Sequence, residues 1–316
     1  MPNPHLHDPM GTQDEPQHPI PYGEEMLSRV KRMHAGTESL RDYRGWIDDH
    51  MGGRVLAFRR RLIPQVLAFT NLRGLEILDF GCGTGSSVVA LAEKAKGGSI
   101  TATDIDPDAL EIAKLRLEYH DLADQVGLRL IPSVVEVGDL KMPDETFDFI
   151  LANGVLEHVV PFSVRPKVIL EMWRLLKRGG LLFISETPNV LWPIDRHTTG
   201  LPVLPWLPPG LAYRIAVASG RHVSGTNFDV RGWRGMSYWG IIRPLRRSRQ
   251  RFEVLNTTAG HNRLLPGGWA PEEKRSAKRR FATFLLERVG GGPLASLGIP
   301  TLAFGPFIEF LCLRKR

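Results

Sequence analysis

Two cysteines in 316 residues, Cys82 and Cys312, are far too few for a disulfide framework, and the N-terminus lacks the basic-then-apolar pattern of a secretory leader. A reducing, cytoplasmic setting is therefore expected. The largely apolar stretch 293–313 is broken by Pro300, Pro306 and Glu309, so it does not supply the ~20 apolar residues of a spanning helix. No internal repeat is visible. Hydrophobic residues at 42% and charged residues at 24% exclude collagen, a coiled coil and wholesale disorder, and the length suits one or two domains of ~150 residues.

Acidic charge is scarce in one part of the chain only. Residues 191–316 carry 20 basic and 7 acidic side chains, against 9 and 9 in residues 1–71 and 12 and 18 in residues 72–190. An acid-biased middle beside a basic C-terminal segment marks either contact with something anionic or a solvated basic face.

Periodicity divides the chain further. Residues 1–21 are rich in Pro, His and polar side chains with almost no apolar content, which predicts a disordered tail. Residues 22–71 read as a helical cap, with Met26, Leu27, Val30 and Met33 on one face and Val55, Leu56, Phe58, Leu62, Ile63, Val66 and Leu67 on another. Over 72–190, apolar runs at 75–80, 99–103, 128–135, 147–152 and 181–185 alternate with helical stretches at 86–96, 107–120 and 163–177. Glycine pairs at 97–98 and 179–180 end two of these helices, and Asp106 with Pro107 opens another. The alternation predicts an α/β fold with a doubly wound, mostly parallel, Rossmann-like sheet. Residues 191–316 are expected to add a substrate loop, a basic segment and late strands at 252–255 and 307–313. The uncharged stretch 198–213 holds four prolines and reads as an apolar loop rather than an element, and an arginine-rich stretch follows from Arg231 to Arg251.

The strongest chemical signal is Ile77-Leu78-Asp79-Phe80-Gly81-Cys82-Gly83-Thr84-Gly85, placed where a first strand turns into a first helix. Glycines there let the backbone run close to a ligand. Asp104, 19 residues after Gly85 and at the end of the second strand, is placed to accept both hydroxyls of a ribose. A dinucleotide fingerprint would need Gly or Ala where Ser86 stands, and a P-loop would need Gly-Lys-Ser/Thr, which is absent. A cofactor with a ribose and no phosphate fits better. Cys82, between two glycines, reads as a small turn residue rather than a nucleophile.

ILDFGCGTG, TATDIDPDAL, DETFDFILANGVLEHV and LLKRGGLLFISETPN together resemble the successive motifs of the class I S-adenosylmethionine-dependent methyltransferases, in order and spacing, over residues 72–190. Within that superfamily the chain is similar to the small-molecule and lipid methyltransferases that include the ubiquinone-biosynthesis O-methyltransferases. The resemblance implies that Asp79, Gly81, Gly83 and the backbone near Gly85 hold the methionine half of S-adenosylmethionine. It implies Asp104 on the ribose, Ile105 against the adenine, and Glu136 beside Val137 at the adenine amino group, with Asp139 as an alternative. Asn153 and Gly154 would face the methionine amino end and the transferred methyl.

In the ubiquinone-type enzymes a glutamate before VLEH helps hold a metal ion, whereas this chain has Gly154 there. Adjacent Glu157 and His158 are not expected to converge on one ion, so no metal is expected. If the acceptor is a hydroxyl, a general base helps, and His158 and His197, both past strand ends on the carboxyl side of the sheet, are the catalytic candidates. The expected partners are a small-molecule or lipid acceptor and an anionic membrane surface in peripheral contact with the arginine-rich stretch. Nucleic acid is disfavoured, because Asn153 is followed by Gly154-Val155-Leu156 and not by the Pro-Pro-aromatic motif of base-amino methyltransferases.

Overall fold

The computed structural model describes residues 22–38, 43–131, 140–257 and 297–316. The tail expected at 1–21, and Glu136, Val137 and Asp139, lie outside the described residues.

Helices α1 (Glu24–Met33) and α2 (Tyr43–Asp48) precede a bend at Met51 and Gly52, where φ of Gly52 is 132° and the helical path is lost. The chain then runs through α3 (Arg54–Ala57), one wider turn at Phe58–Leu62, and α4 (Ile63–Leu67) into β1 (Glu76–Phe80). Helix α5 (Ser86–Ala92), β2 (Ser99–Asp104), α6 (Pro107–Tyr119), β3 (Val126–Leu130) and β4 (Phe147–Asn153) follow. Helix α7 (Arg165–Leu175) leads into β5 (Leu176–Ser185) and β6 (Thr187–Pro188). The remainder supplies α8 (Pro209–Ala218), α9 (Tyr238–Arg247), β7 (Phe252–Val254), β8 (Phe307–Ile308) and β9 (Leu311–Lys315).

Seven strands make one sheet in the order β3-β2-β1-β4-β5-β9-β7. The first five are mutually parallel, and β9 runs antiparallel between β5 and β7. Because successive strand side chains point to opposite faces, Ile77, Phe149 and Phe183 enter one core and Leu78, Ile150 and Leu182 the other. The first core is closed by Val55, Phe58, Leu62 and Val66 of the cap together with Val88 and Leu91 of α5. Met172 and Trp173 of α7 and Ile241, Ile242 and Leu245 of α9 close the second. Near-continuous apolar runs in the central strands follow from burial on both faces.

Chain order reverses between β1 and β4, so the loops leaving their carboxyl ends diverge and open a crevice, the usual ligand position in such sheets. A small antiparallel ribbon, β6 with β8, flanks it.

The structure corrects several boundaries. The third strand begins at Val126, two residues before the expected start, and the helix opened at Ser86 ends at Ala92 rather than near Lys96. The stretch 198–213, expected as loop, contains the start of α8. Pro208 and Pro209 open that helix, as proline suits a first turn, and Ala212 and Ala216 pack beside Leu204, Phe228 and Trp233. The arginine-rich stretch contains α9, whose apolar face is core while Arg243, Arg246 and Arg247 face outward. The late run 307–313 is split into β8 and β9 at Phe310, which adopts φ 57°. No helix among the described residues is long and apolar enough to cross a membrane.

Candidate active site

A cavity of about 950 Å³ occupies the crevice. One side is built from the turn after β1, the end of β2 and the segment after β4. The other comes from the cap and from residues after β5.

The turn after β1 depends on its glycines. Gly81 has φ 74°, and a Cβ added there would lie 2.5 Å from Cγ2 of Val155, so only glycine lets β1 and the segment after β4 approach this closely. Gly83, with φ 51°, faces open space and donates its N–H to Oδ2 of Asp104 at 2.7 Å. The Asp106 N–H donates to Oδ1 at 3.0 Å. Burial raises the Asp104 carboxyl above its ordinary value, while these two donors oppose the shift. Ile105 lies in the wall, exposed to the cavity.

Asp79 and Gly85 do not line the cavity. Asp79 is buried behind the wall and reaches it through Ser87, whose Oγ donates to Oδ2 at 2.5 Å. Burial pushes this carboxyl up to about 7. Gly85 instead permits close packing, since a Cβ there would meet Cβ of Ala113 at 2.9 Å. Cys82 is buried and burial pushes its thiol well up, consistent with a turn residue.

Asn153, at the end of β4, donates Nδ2–H to Oε2 of Glu186 at 3.1 Å, and its buried Oδ1 has no hydrogen-bond partner. Gly154 takes φ 64° and lines the cavity beside it.

His158 and His197 enter from different loops and meet with ring centroids 5.4 Å apart. Asp195 sets the second loop by accepting from the backbone N–H groups of His197 at 3.1 Å, Thr198 at 2.9 Å and Thr199 at 2.8 Å. Glu157, fully buried, lies below both rings, with Oε1 3.9 Å from Nε2 of His158 and 3.7 Å from Nε2 of His197. Adjacent Glu157 and His158 therefore do converge, contrary to the expectation from their spacing, because the chain after Gly154 turns rather than continuing as a regular element. Burial pushes Glu157 up to about 8, and enclosure with His158 alongside holds His197 down at about 3.

Sequence reasoning missed the residues that hold this arrangement. Buried Arg165 donates from Nη2 to the Glu157 carbonyl and from Nη1 to the carbonyls of Arg234 and Gly235, which staples the 157–159 turn to the segment carrying Gly232. Buried Arg116 donates to the carbonyls of Thr84 and His50, which ties the cofactor turn to the cap. No local pattern announces either arginine. Asp195 was readable, since Asp with threonines three and four residues on, at Thr198 and Thr199, is a turn-forming combination.

The methyltransferase domain family model matches residues 78–184, from β1 to the end of β5. The segment from β1 to β5 is thus similar to a methyltransferase domain. Over 110 residues the chain is 38% identical to a ribosomal protein L11 methyltransferase of Pelobacter propionicus, covering 34% of this chain and 31% of that protein. Over 150 residues it is 32% identical to a ubiquinone biosynthesis O-methyltransferase of Xylella fastidiosa, covering 46% of this chain and 56% of that protein. The solved structure of the cyclase SpnF aligns with a TM-score of 0.45 and 21% identity, over 81% of this chain and 80% of that one. The chain spans between about a third and just over half of the length of those two methyltransferases.

The methyltransferase domain fits its cofactor chemically. S-adenosylmethionine carries a ribose diol, an ammonium and a sulfonium, and the wall offers the carboxylate of Asp104 and the unpartnered Oδ1 of Asn153 as acceptors. Backbone near Gly83 is open to close approach.

Proposed function

We propose that this protein methylates an oxygen of a small-molecule or lipid-like acceptor. One observation carries the reading: His158 and His197 open into the same cavity as Asp104 and Asn153, so an acceptor beside the histidines also lies beside the cofactor residues. Bound S-adenosylmethionine supplies an electrophilic methyl on a good leaving group. The chain therefore has to orient the acceptor, exclude water and promote loss of its proton. Asp104 holds the ribose side, and the backbone at Gly81 and Gly83 with Asn153 and Gly154 holds the methionine side. The cluster of Glu157, His158 and His197 draws off the hydroxyl proton. Arg196 and Arg231 line the cap side of the cavity and favour an acceptor with negative charge near the reacting oxygen.

His158→Ala and His197→Ala should each lower methyl transfer by ~10²–10⁴-fold, the usual contribution of a positioned proton-transfer group. Affinity for S-adenosylhomocysteine should stay at the wild-type value by calorimetry. Transfer by both variants at the wild-type rate would remove the histidines from the reaction.

Val203, Trp206, Leu211 and Ile215 are all exposed on the segment after β5, beyond what a monomer needs at its surface. Together with the outward arginines of α9 they support a lipid-like acceptor taken from an anionic surface. The protein is expected to sediment with phosphatidylserine-containing vesicles and to remain in solution with phosphatidylcholine alone. Equal behaviour with both vesicle types would leave only a solvated basic face.

A further inference from the structure

Glu157, His158 and His197 bring one carboxyl and two imidazoles to a single place on the cavity wall. His158 Nδ1–H donates to the carbonyl of Val230 at 2.7 Å, which leaves Nε2 with its lone pair facing Glu157. Thr198 Oγ1–H donates to the carbonyl of Arg231 at 2.8 Å, so its oxygen accepts from His197 Nδ1–H at 3.1 Å, and that Nε2 also keeps its lone pair. Both carboxylate oxygens of Glu157 are buried without a hydrogen-bond partner. The Nε2 atoms of two histidines that open to the cavity thus face one buried carboxyl, and a buried polar group left without a partner is costly.

Among the described residues these three bring ligand-type atoms within 4.8 Å of one another. The space they leave is shaped by Gly232, with φ 75°: a Cβ there would meet Cγ of Glu157 at 2.8 Å and Cε1 of each histidine at 3.1 Å. Imidazoles that donate their second ring nitrogen to a carbonyl or a hydroxyl have the orientation and tautomer of metal ligands.

We propose that Glu157, His158 and His197 bind a divalent transition-metal ion of the zinc class. The ubiquinone-type arrangement does not fit this chain, because its first carboxylate is replaced by Gly154; His197, from a loop beyond β5, takes the third place instead. Two imidazole nitrogens and one carboxylate select zinc, cobalt or iron over magnesium or calcium, which prefer oxygen. Ligands at 2.0–2.1 Å in a tetrahedron lie ~3.4 Å apart, so the 3.7 and 3.9 Å separations from Glu157 need to contract by a few tenths of an ångström and the two ring nitrogens, within 4.8 Å of each other, need to close to the same spacing. Three protein ligands leave a fourth position open to the cavity, as in catalytic rather than structural sites. The inference rests on the cavity being the acceptor site, and it gives the cluster a means of promoting proton loss from a hydroxyl, since such an ion is a Lewis acid.

The test is equilibrium dialysis of the full chain against Zn²⁺ and Co²⁺, with Mg²⁺ as the comparison, followed by visible absorption of the Co²⁺ form. One tightly held ion per chain with d–d bands of low-coordinate cobalt is expected, with no comparable uptake of Mg²⁺. His197→Ala should weaken Zn²⁺ binding by more than ~100-fold, and Thr198→Val, which leaves all three ligands in place, by ~10–100-fold. Calorimetric binding of S-adenosylhomocysteine to the same samples reports separately on the methyltransferase reading. A chain that binds the nucleoside but takes up no Zn²⁺ or Co²⁺ would overturn the metal site alone. Uptake that is unchanged in His197→Ala and His158→Ala would also overturn it, since the ion would then be held elsewhere in the chain.

Discussion

Asp104→Ala is expected to abolish measurable binding of S-adenosylhomocysteine. Two charge-assisted hydrogen bonds to a ribose diol contribute roughly 3–6 kcal/mol together, which corresponds to a loss of ~10²–10⁴ in affinity. The same carboxylate also receives the N–H groups of Gly83 and Asp106, so the substitution loosens the turn as well as removing ribose acceptors. Asp104→Asn separates the two effects: it keeps one acceptor oxygen for the turn and loses the charge. Calorimetric titration reads the affinity, and melting provides an independent reading, because ligand at ~100 times its dissociation constant stabilises the wild type by about 2.7 kcal/mol. Wild-type affinity in both variants would mean that the ribose is held elsewhere.

The second large effect concerns stability and pH. Burial pushes Asp79 from an ordinary 3.8 up to about 7, so the folded chain keeps a proton that the unfolded chain releases. The folded state binds more protons at this site throughout that interval, so the Asp79 contribution to stability falls as pH rises from about 4 to about 7 and then levels off. At ~1.36 kcal/mol per unit the loss is about 4 kcal/mol. Asp79→Asn has no proton to release and escapes it. Urea unfolding of both proteins from pH 4 to pH 8 should show curves that coincide most nearly at the acid end and diverge towards neutrality, with the variant the more stable. Parallel curves would show that Asp79 is ionised in the folded chain despite its burial.

Why, then, does the chain keep a carboxylate there? Asp79 receives the Ser87 hydroxyl at the first turn of α5, directly behind the cofactor wall, so a stability cost is borne where it fixes the turn. Strain and unfavourable burial concentrate at functional sites for this reason.

The parallel core was legible because each of its signals is local. Ile77 and Leu78 announce a strand buried on both faces, Gly81 and Gly83 a turn that needs unusual dihedrals, and Asp106-Pro107 a helix start. Helices α8 and α9 were not legible for the same reason. Pro208-Pro209 and Pro244 speak for breaks, and only the tertiary partners of Ala212, Ala216, Ile241 and Leu245 outweigh them. In the site, Asp104, Asn153, His158 and His197 could be placed by their positions after strand ends. The convergence of Glu157 with both histidines could not, since it depends on Arg165 and Gly232, more than 60 residues apart in sequence and joined only by the fold.

The two sides of the cavity have different origins in the chain. Gly81, Gly83, Asp104, Asn153, Glu157 and His158 lie within the segment shared with other methyltransferases, whereas Trp46, His50, Arg54, Arg196, His197 and Arg231 lie outside it. The acceptor wall can therefore be rewritten while the cofactor wall stays fixed, provided that Val55, Phe58 and Leu62 of the cap keep closing one core of the sheet. Proteins that share residues 78–184 with this one form, on that view, a lineage of a single cofactor grip with interchangeable jaws, in which overall sequence likeness measures the grip and says little about what the jaws hold.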